Sequence, residues 1–511
     1  MSVLTKALGP FWANPVVTRD LRVRMRGSKA YWSSGIYLGL LALLAMAGYA
    51  VATSGLGEGA AIEVQWQLQE FYYFIFVTLA ALISLIAPEL TAASITTERQ
   101  SLTMDLLTTT PLRASELLVG KLISCVAFLA LLLTLSLPAS ALCVMLGGAT
   151  IGDMVRVYLL LAIDGLVMAA IGLYFSCAVK GSLPALVWTY LAVGAWLLFT
   201  TLTASFTGSA RMFTSSGAGG ALPATAALNM LNPFMAVLGG AAQTQIAKYT
   251  IPIWPLTAIL AALGIRLLVT AATLRLGGYG GNPAGSLRRQ ILFLTIAAGA
   301  IGGSALGPTA GSGVVEWVMA PIVLLACLEL PALFTPDAPE DAPVGYAVNG
   351  YSFRRAFRAE HAGALPFFHI WLVALFGSVT LGALYAGISH GDFLTRMAAS
   401  AFYVSSIGFM LWCVARRACT WVAGLSQARS LTFGLFVVLA LLPAGVALVI
   451  SPELSHIEDS AVLHAWMFYP LVLEDAADRL HAMRIAGALV YAAGALVFPF
   501  WRKAQPKRMN G

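Results

Sequence analysis

Charge is what this chain has least of: Asp, Glu, Lys and Arg together supply 10% of its 511 residues, against 59% hydrophobic ones. A water-facing surface cannot be assembled from so few charges, which excludes an ordinary soluble globular protein. Cysteine is also sparse. Cys125, Cys143, Cys177, Cys327, Cys413 and Cys419 are scattered, nearly all inside apolar runs, with no metal-ligand spacing, so they read as small packing residues. His361, His369, His390, His456, His464 and His481 are dispersed, and no Gly-x-Ser-x-Gly or His-Glu-x-x-His pattern occurs. A phosphate-binding loop needs glycine-rich backbone donors with Lys and Ser or Thr in the order G-x-x-x-x-G-K-[ST]. The nearest fragment, Gly120-Lys121, is followed by Leu122. The expectation is a chain without catalytic residues, without a cofactor and without an enzymatic reaction of its own.

Long apolar runs are what it has instead. About 20 residues of helix cross roughly 30 Å of hydrocarbon, and runs of that kind recur along the whole chain. The pattern predicts an all-α polytopic membrane protein with twelve spans, at about 32–52, 71–94, 122–146, 157–179, 183–202, 251–274, 291–306, 314–334, 365–387, 397–414, 431–450 and 485–501. No short basic region is followed at once by an apolar stretch and a small-residue cleavage site, so the first run is expected to stay as an anchor.

Lys and Arg are retained on the cytoplasmic side of a membrane, and their distribution sets the orientation. With both termini inside, 23 of the 30 basic residues fall on cytoplasmic segments, Arg156, Arg211, Lys248, Arg396, Arg479 and Arg484 fall outside, and Arg266 lies within a span. The expected location is the inner cell membrane. The net charge of +7 is thereby a topology signature and calls for no nucleic-acid partner.

Two polar segments interrupt the apolar pattern near the amino terminus. In residues 14–32, Val17, Leu21 and Met25 share one helical face while Arg19, Arg22, Arg26 and Lys29 share the other, predicting an amphipathic helix lying on the membrane surface. Arg24 falls on the apolar side and would have to snorkel. A basic flank that only enforces topology accounts for the same residues. The second segment, 95–121, lies between two spans and contains ERQSLTMDLLTTTPLRASELLVGK. Thr97 with Gln100 forms a capping-box pattern, predicting a short helix from Glu98 that carries Leu102 and Leu106 on one face, before Pro111 restarts the chain. This loop reads either as a plain connection or as an element offered to a partner outside the bilayer.

The order of the basic NPVVTRDLRVRMRG helix, two spans, the TTERQSLTMDLLTTTPLRASELLVGKL loop and a later LNPFMAVLGG resembles permease subunits of type 2 ABC transporters, especially the group named for maturation of copper enzymes, over about residues 14–274. The resemblance implies a six-helix membrane half at 32–274, a surface helix at 1–31, and a coupling loop that contacts a separate ATP-binding subunit. It places Glu98, Arg99, Leu102, Asp105, Leu106 and Pro111 at that contact. Glycine-rich residues 275–290 resemble a hinge before a second membrane half at 291–511, whose long loop after the eighth span has no counterpart of ERQSLTMDLL. The partners expected are the ATPase, the bilayer, and a second permease copy unless the second half completes a pseudo-dimer.

Charges inside spans are costly and mark pathways or pairings. They are Glu89, Asp164, Arg266 and Glu329, at depths of about 27, 10, 22 and 22 Å from the outer ends at 1.5 Å per residue, so Glu89 or Glu329 matches Arg266. An interhelical ion pair and a role in substrate passage or gating are the two readings. Gly35 and Gly39 form a GxxxG that suits close helix packing. A late acidic loop with His456, Glu458, Asp459, His464, Glu474, Asp475, Asp478 and His481 reads as a solvated surface, since its irregular spacing argues against a metal site. Three functions remain: a permease subunit of an ABC export-like system, a secondary transporter, and a membrane scaffold for assembly.

Overall fold

A computed structural model of the protein describes residues 15–25, 28–54, 61–101, 114–145, 150–206, 226–239, 242–246, 249–276, 284–305 and 364–385, with isolated positions between 353 and 434. The chain divides into two compact units, Met1–Pro283 and Ala284–Gly511.

The first unit begins with α1 (Pro15–Met25), α2 (Ser28–Ser54), α3 (Ala61–Ala92) and the short α4 (Ser94–Gln100). It continues with α5 (Ala114–Met145), α6 (Ile151–Ala178) and α7 (Ser182–Phe206). Two short helices, α8 (Ala226–Asn229) and α9 (Pro233–Gly239), precede an antiparallel hairpin, β1 (Gln243–Ile246) with β2 (Tyr249–Pro252), and the unit closes on α10 (Ile253–Leu276). In the second unit the described helices are α11 (Ala284–Ala305) and α12 (Ala364–Tyr385).

Among the described residues, six helices are long and apolar enough to cross a bilayer: Phe71–Gln100, Ala114–Leu142, Ile151–Ala178, Ser182–Thr201, Ile253–Leu276 and Leu365–Tyr385. This is the build of a polytopic membrane protein. The first expected span lies on α2, whose apolar stretch Ser34–Ala50 is shorter, and the seventh lies on α11. The spans expected at 314–334, 431–450 and 485–501, and most of 397–414, lie outside the described residues.

Helix α6 is the axis of the first unit, packing against α3, α5, α7, α9 and α10. Its inward residues, among them Leu161, Met168, Ala169 and Leu173, join Phe76, Leu79, Ile83, Leu118 and Leu129 in one apolar core. Small residues set how closely α3 approaches. A Cβ on Gly172 would lie 2.7 Å from the Pro88 carbonyl oxygen and 3.3 Å from the Ala92 nitrogen, so only glycine admits this contact. Pro88 lacks the N–H that would continue the α3 ladder, and nearby the Thr91 hydroxyl donates across to Ala169 O at 2.7 Å. Among the described residues, no atom lies within 4 Å of a Cβ placed on Gly35 or Gly39, and Trp32, Ile36, Leu43 and Met46 of the same helix are exposed.

The second unit uses the same device. Gly303 of α11 lies against Val379 of α12, where a Cβ would stand 3.0 Å from the Ala383 nitrogen. The Trp371 indole donates to Thr295 Oγ1 at 2.8 Å across this seam. Arg288, counted above as a topology residue, is buried, donates to Ala356 O at 2.9 Å and lies 5.6 Å from the Phe367 ring centroid.

Candidate functional site

The residues flanking the 102–113 segment converge on an ion cluster whose lysine and carboxylates are largely buried and whose arginine is exposed. α4 follows α3 after a single turn residue, Ala93, and begins with no side-chain cap of its own. Its first orphan donors are met from another helix: Ile95 N and Thr96 N donate to the Ser176 hydroxyl of α6 at 2.9 and 3.4 Å. The expected capping box is therefore not formed. Thr97 sits in mid-helix with its hydroxyl donating back to Ala93 O, and the helix ends near Glu98 and Gln100 where it was expected to begin.

This placement turns Glu98 inward. Its Oε1 accepts from Lys121 Nζ of α5 and from Arg19 Nη2 of α1, each at 3.0 Å. Asp20 of α1 adds a second carboxylate 3.7 Å from Lys121 and 3.9 Å from Arg19. Lys121 is only 4% exposed and reaches a further acceptor, Ser94 O, at 3.4 Å. Two cations and two carboxylates thus neutralise one another across α1, α4 and α5. Arg99, the neighbour of Glu98, donates to Cys177 O at 3.1 Å and joins α4 to the last turn of α6. That cation meets a carbonyl left without an intrahelical partner, where the helix dipole favours positive charge.

The resemblance implied that Glu98 and Arg99 face an ATPase, and Lys121 was counted toward topology. Within the chain, all three side chains bond to neighbouring helices. Leu102, Asp105, Leu106 and Pro111 lie outside the described residues. α1 carries Val17 fully buried with Arg19 and Arg22 exposed, and its described residues run to Met25. Arg26 lies outside the described residues, and Lys29 belongs to α2.

The charges expected inside spans separate into two kinds. Glu89 of α3 and Arg266 of α10 are exposed on the outer faces of their helices, and no ion pair joins them, so the depth-matched pair is not formed. Asp164 of α6 is 0% exposed, and among the described residues neither carboxylate oxygen has a hydrogen-bond partner. Glu329 and the acidic loop around His456 lie outside the described residues. Among the described residues, no group of three His, Cys, Asp or Glu could hold a metal ion.

A polar anchor that the sequence reading missed fixes the break between α8 and α9. Asn232 Nδ2 donates to Thr200 Oγ1 at 3.0 Å and to Thr201 Oγ1 at 3.2 Å on α7, while its Oδ1 accepts from Phe234 N at 3.0 Å. The signal was present in Asn232-Pro233, an N-cap residue followed by proline in the first turn.

No protein-family model, curated protein or solved structure matches the chain.

Proposed function

We propose that the chain is the membrane-spanning permease subunit of an ABC-type, export-like transport system, driven by a separate ATPase that docks on the segment 102–113. The observation that carries this reading is the interlock on either side of that segment. Glu98 precedes it and Lys121 follows it, and the two are bonded to each other and to Arg19 and Asp20 of α1. Ser176 and Arg99 extend the connection to α6, the helix that most others touch. A force applied to the segment reaches α3, α5 and α6 through short, charge-assisted and buried contacts, which suits an element that must transmit a conformational change.

The resemblance of TTERQSLTMDLL and LNPFMAVLGG to type 2 ABC permeases supports the same reading. So does the missing phosphate-binding motif, which leaves ATP hydrolysis to a partner. The distribution of Lys and Arg supports a cell-membrane location with both termini in the cytoplasm. The chain's contribution is then to change conformation, with no covalent step of its own.

The test is co-purification from the native membrane in mild detergent, with the retained proteins identified by mass spectrometry. A P-loop ATPase should accompany the wild-type chain and be lost from a Leu102→Asp, Leu106→Asp variant that remains inserted, because a charge buried at an interface is expensive. Equal retention by both would remove the docking assignment.

A further inference from the structure

Asp164 stands midway along α6, twelve residues or about 18 Å from Ser176 at the loop end. Its helical neighbours one turn away on either side are Leu160, Leu161, Val167 and Met168, all apolar and all buried. Leu161 and Met168 belong to the core shared with α3 and α5. Leu160 packs with Ala226, Ala227 and Met230 of the α8 region and with Ala236 and Ile253, while Val167 packs with Leu231 and Ala261. The carboxyl group is therefore enclosed along the seam where α6 meets the broken α8–α9 segment and α10.

Among the described residues, the charged and titratable side chains on the surrounding helices do not compensate it. Glu89 on α3 and Arg266 on α10 are exposed, and Arg275 on α10 donates to the Tyr174 hydroxyl. Lys121 on α5 and Glu98 and Arg99 on α4 are committed to the loop-end cluster. The Tyr190 hydroxyl on α7 donates to Leu85 O, and the Tyr158 hydroxyl lies between Ser136 and Ser140. α8 and α9 carry no ionisable residue. An ionised carboxylate enclosed in this way would lack both solvation and a counter-ion, a cost of many kcal/mol. A hard metal ion would need about six oxygen ligands, which the flanking Leu, Val and Met side chains cannot supply.

We propose that Asp164 is a proton-binding site, loaded while the α6 seam is closed and unloaded when the seam opens. On opening, the carboxyl O–H bond breaks, the proton passes to an admitted water, and the carboxylate that remains is solvated. Closing reverses both steps. The site couples the position of α6 to proton concentration, and it does so whether or not an ATPase drives the chain.

The test uses the full chain in lipid nanodiscs, with aspartate 13C-labelled at its side-chain carboxyl and followed by infrared spectroscopy at pH 8. Solvated aspartates, with pKa values of about 3.9, are ionised there. One protonated aspartate signal should persist in wild type and vanish in Asp164→Asn, or in Asp164→Glu should the amide variant fail to fold. A wild-type spectrum without that signal would overturn the assignment, as would a signal that survives both substitutions. Opening is read separately, from thiol labelling of Ala261→Cys in a background lacking the native cysteines. The labelling rate relative to the same protein carrying Asp164→Asn should rise about tenfold per pH unit, the slope for release of one proton from a minor open state. A ratio independent of pH would make Asp164 a static neutral acid and end the coupling proposal.

Discussion

The loop end and the middle of one helix handle charge in opposite ways. At the loop end of α6, Arg99 meets the carbonyl of Cys177, and the adjoining cluster gathers Arg19, Lys121, Asp20 and Glu98 within 4 Å contacts. At its middle, Asp164 has no hydrogen-bond partner among the described residues. Burial in an apolar bundle therefore has two outcomes here. Where opposite charges from several helices arrive together, their contacts bind the helices to one another. Where a single acid arrives alone, its neutral form is the one the surroundings accept. The first arrangement resists rearrangement and the second invites a proton-linked one.

The largest expected effect comes from breaking the compensated end. Lys121→Met should lower stability by about 3 to 5 kcal/mol, because Glu98 and Asp20 would stay in place without their most buried cation. The same operation at the uncompensated site should cost little. Asp164→Leu replaces an unbonded acid among leucines by an apolar side chain of similar size, and is expected to be neutral or stabilising. Thermal unfolding of the two purified variants in one detergent checks the contrast. Equal destabilisation would mean that Asp164 is held by bonds and that the two sites are alike.

Close helix approach gives the next comparison. Gly172 faces α3 with no room for a Cβ, whereas Gly264 on α10 has nothing within 4 Å of one. Gly172→Ala should cost about 1 to 3 kcal/mol by forcing α3 and α6 apart. Gly264→Ala should be neutral or gain up to about 1 kcal/mol from helix propensity. Melting curves that ranked the two the other way would refute the packing of α3 on α6.

What the sequence made legible follows the range of each interaction. The apolar runs at 71–94, 122–146, 157–179, 183–202, 251–274 and 365–387 correspond to the six long apolar helices, because a bilayer-length run is a local property. The cap of α4 was not local. Thr97 and Gln100 had the right spacing for a capping box, but the donors to be capped belong to Ile95 and Thr96, and Ser176 supplies the acceptor from 81 and 80 positions away. Glu98 and Lys121 were likewise visible only as isolated charges, since nothing in their neighbourhood marks 98 and 121 as partners. Two opposite charges standing just inside the helices that bracket one loop would have been the usable signal. Depth along a span pointed to Glu89 and Arg266, but depth is one coordinate of a helix surface. The other, azimuth, turns both outward.

Ser176 separates a cap from a mere contact. Its hydroxyl is buried and accepts two backbone donors at the start of α4, so Ser176→Ala should leave those donors unsatisfied and cost about 1 to 2 kcal/mol. Ser176→Cys, nearly isosteric but a weak acceptor, should fall between the two. Amide hydrogen exchange at Ile95 and Thr96 should accelerate in the alanine variant while exchange in the middle of α6 stays unchanged. Acceleration along the whole of α6 would show that Ser176 stabilises the bundle as packing and not as a cap.

The smallest effect expected is a null one, at the pair that depth matching favoured. Glu89 and Arg266 both stand on exposed helix faces, and no ion pair joins them, so removing one should not strand the other. In a double-mutant cycle with Glu89→Gln and Arg266→Gln, the two changes should add, with an interaction energy below about 0.5 kcal/mol. The loop-end pair supplies the control. The cycle Glu98→Gln with Lys121→Gln should show coupling several times larger, because those groups touch and share a buried site. A Glu89–Arg266 coupling as strong as that control would mean that the helix faces carrying them meet in the membrane, and that α3 and α10 are oriented differently from the packing described here.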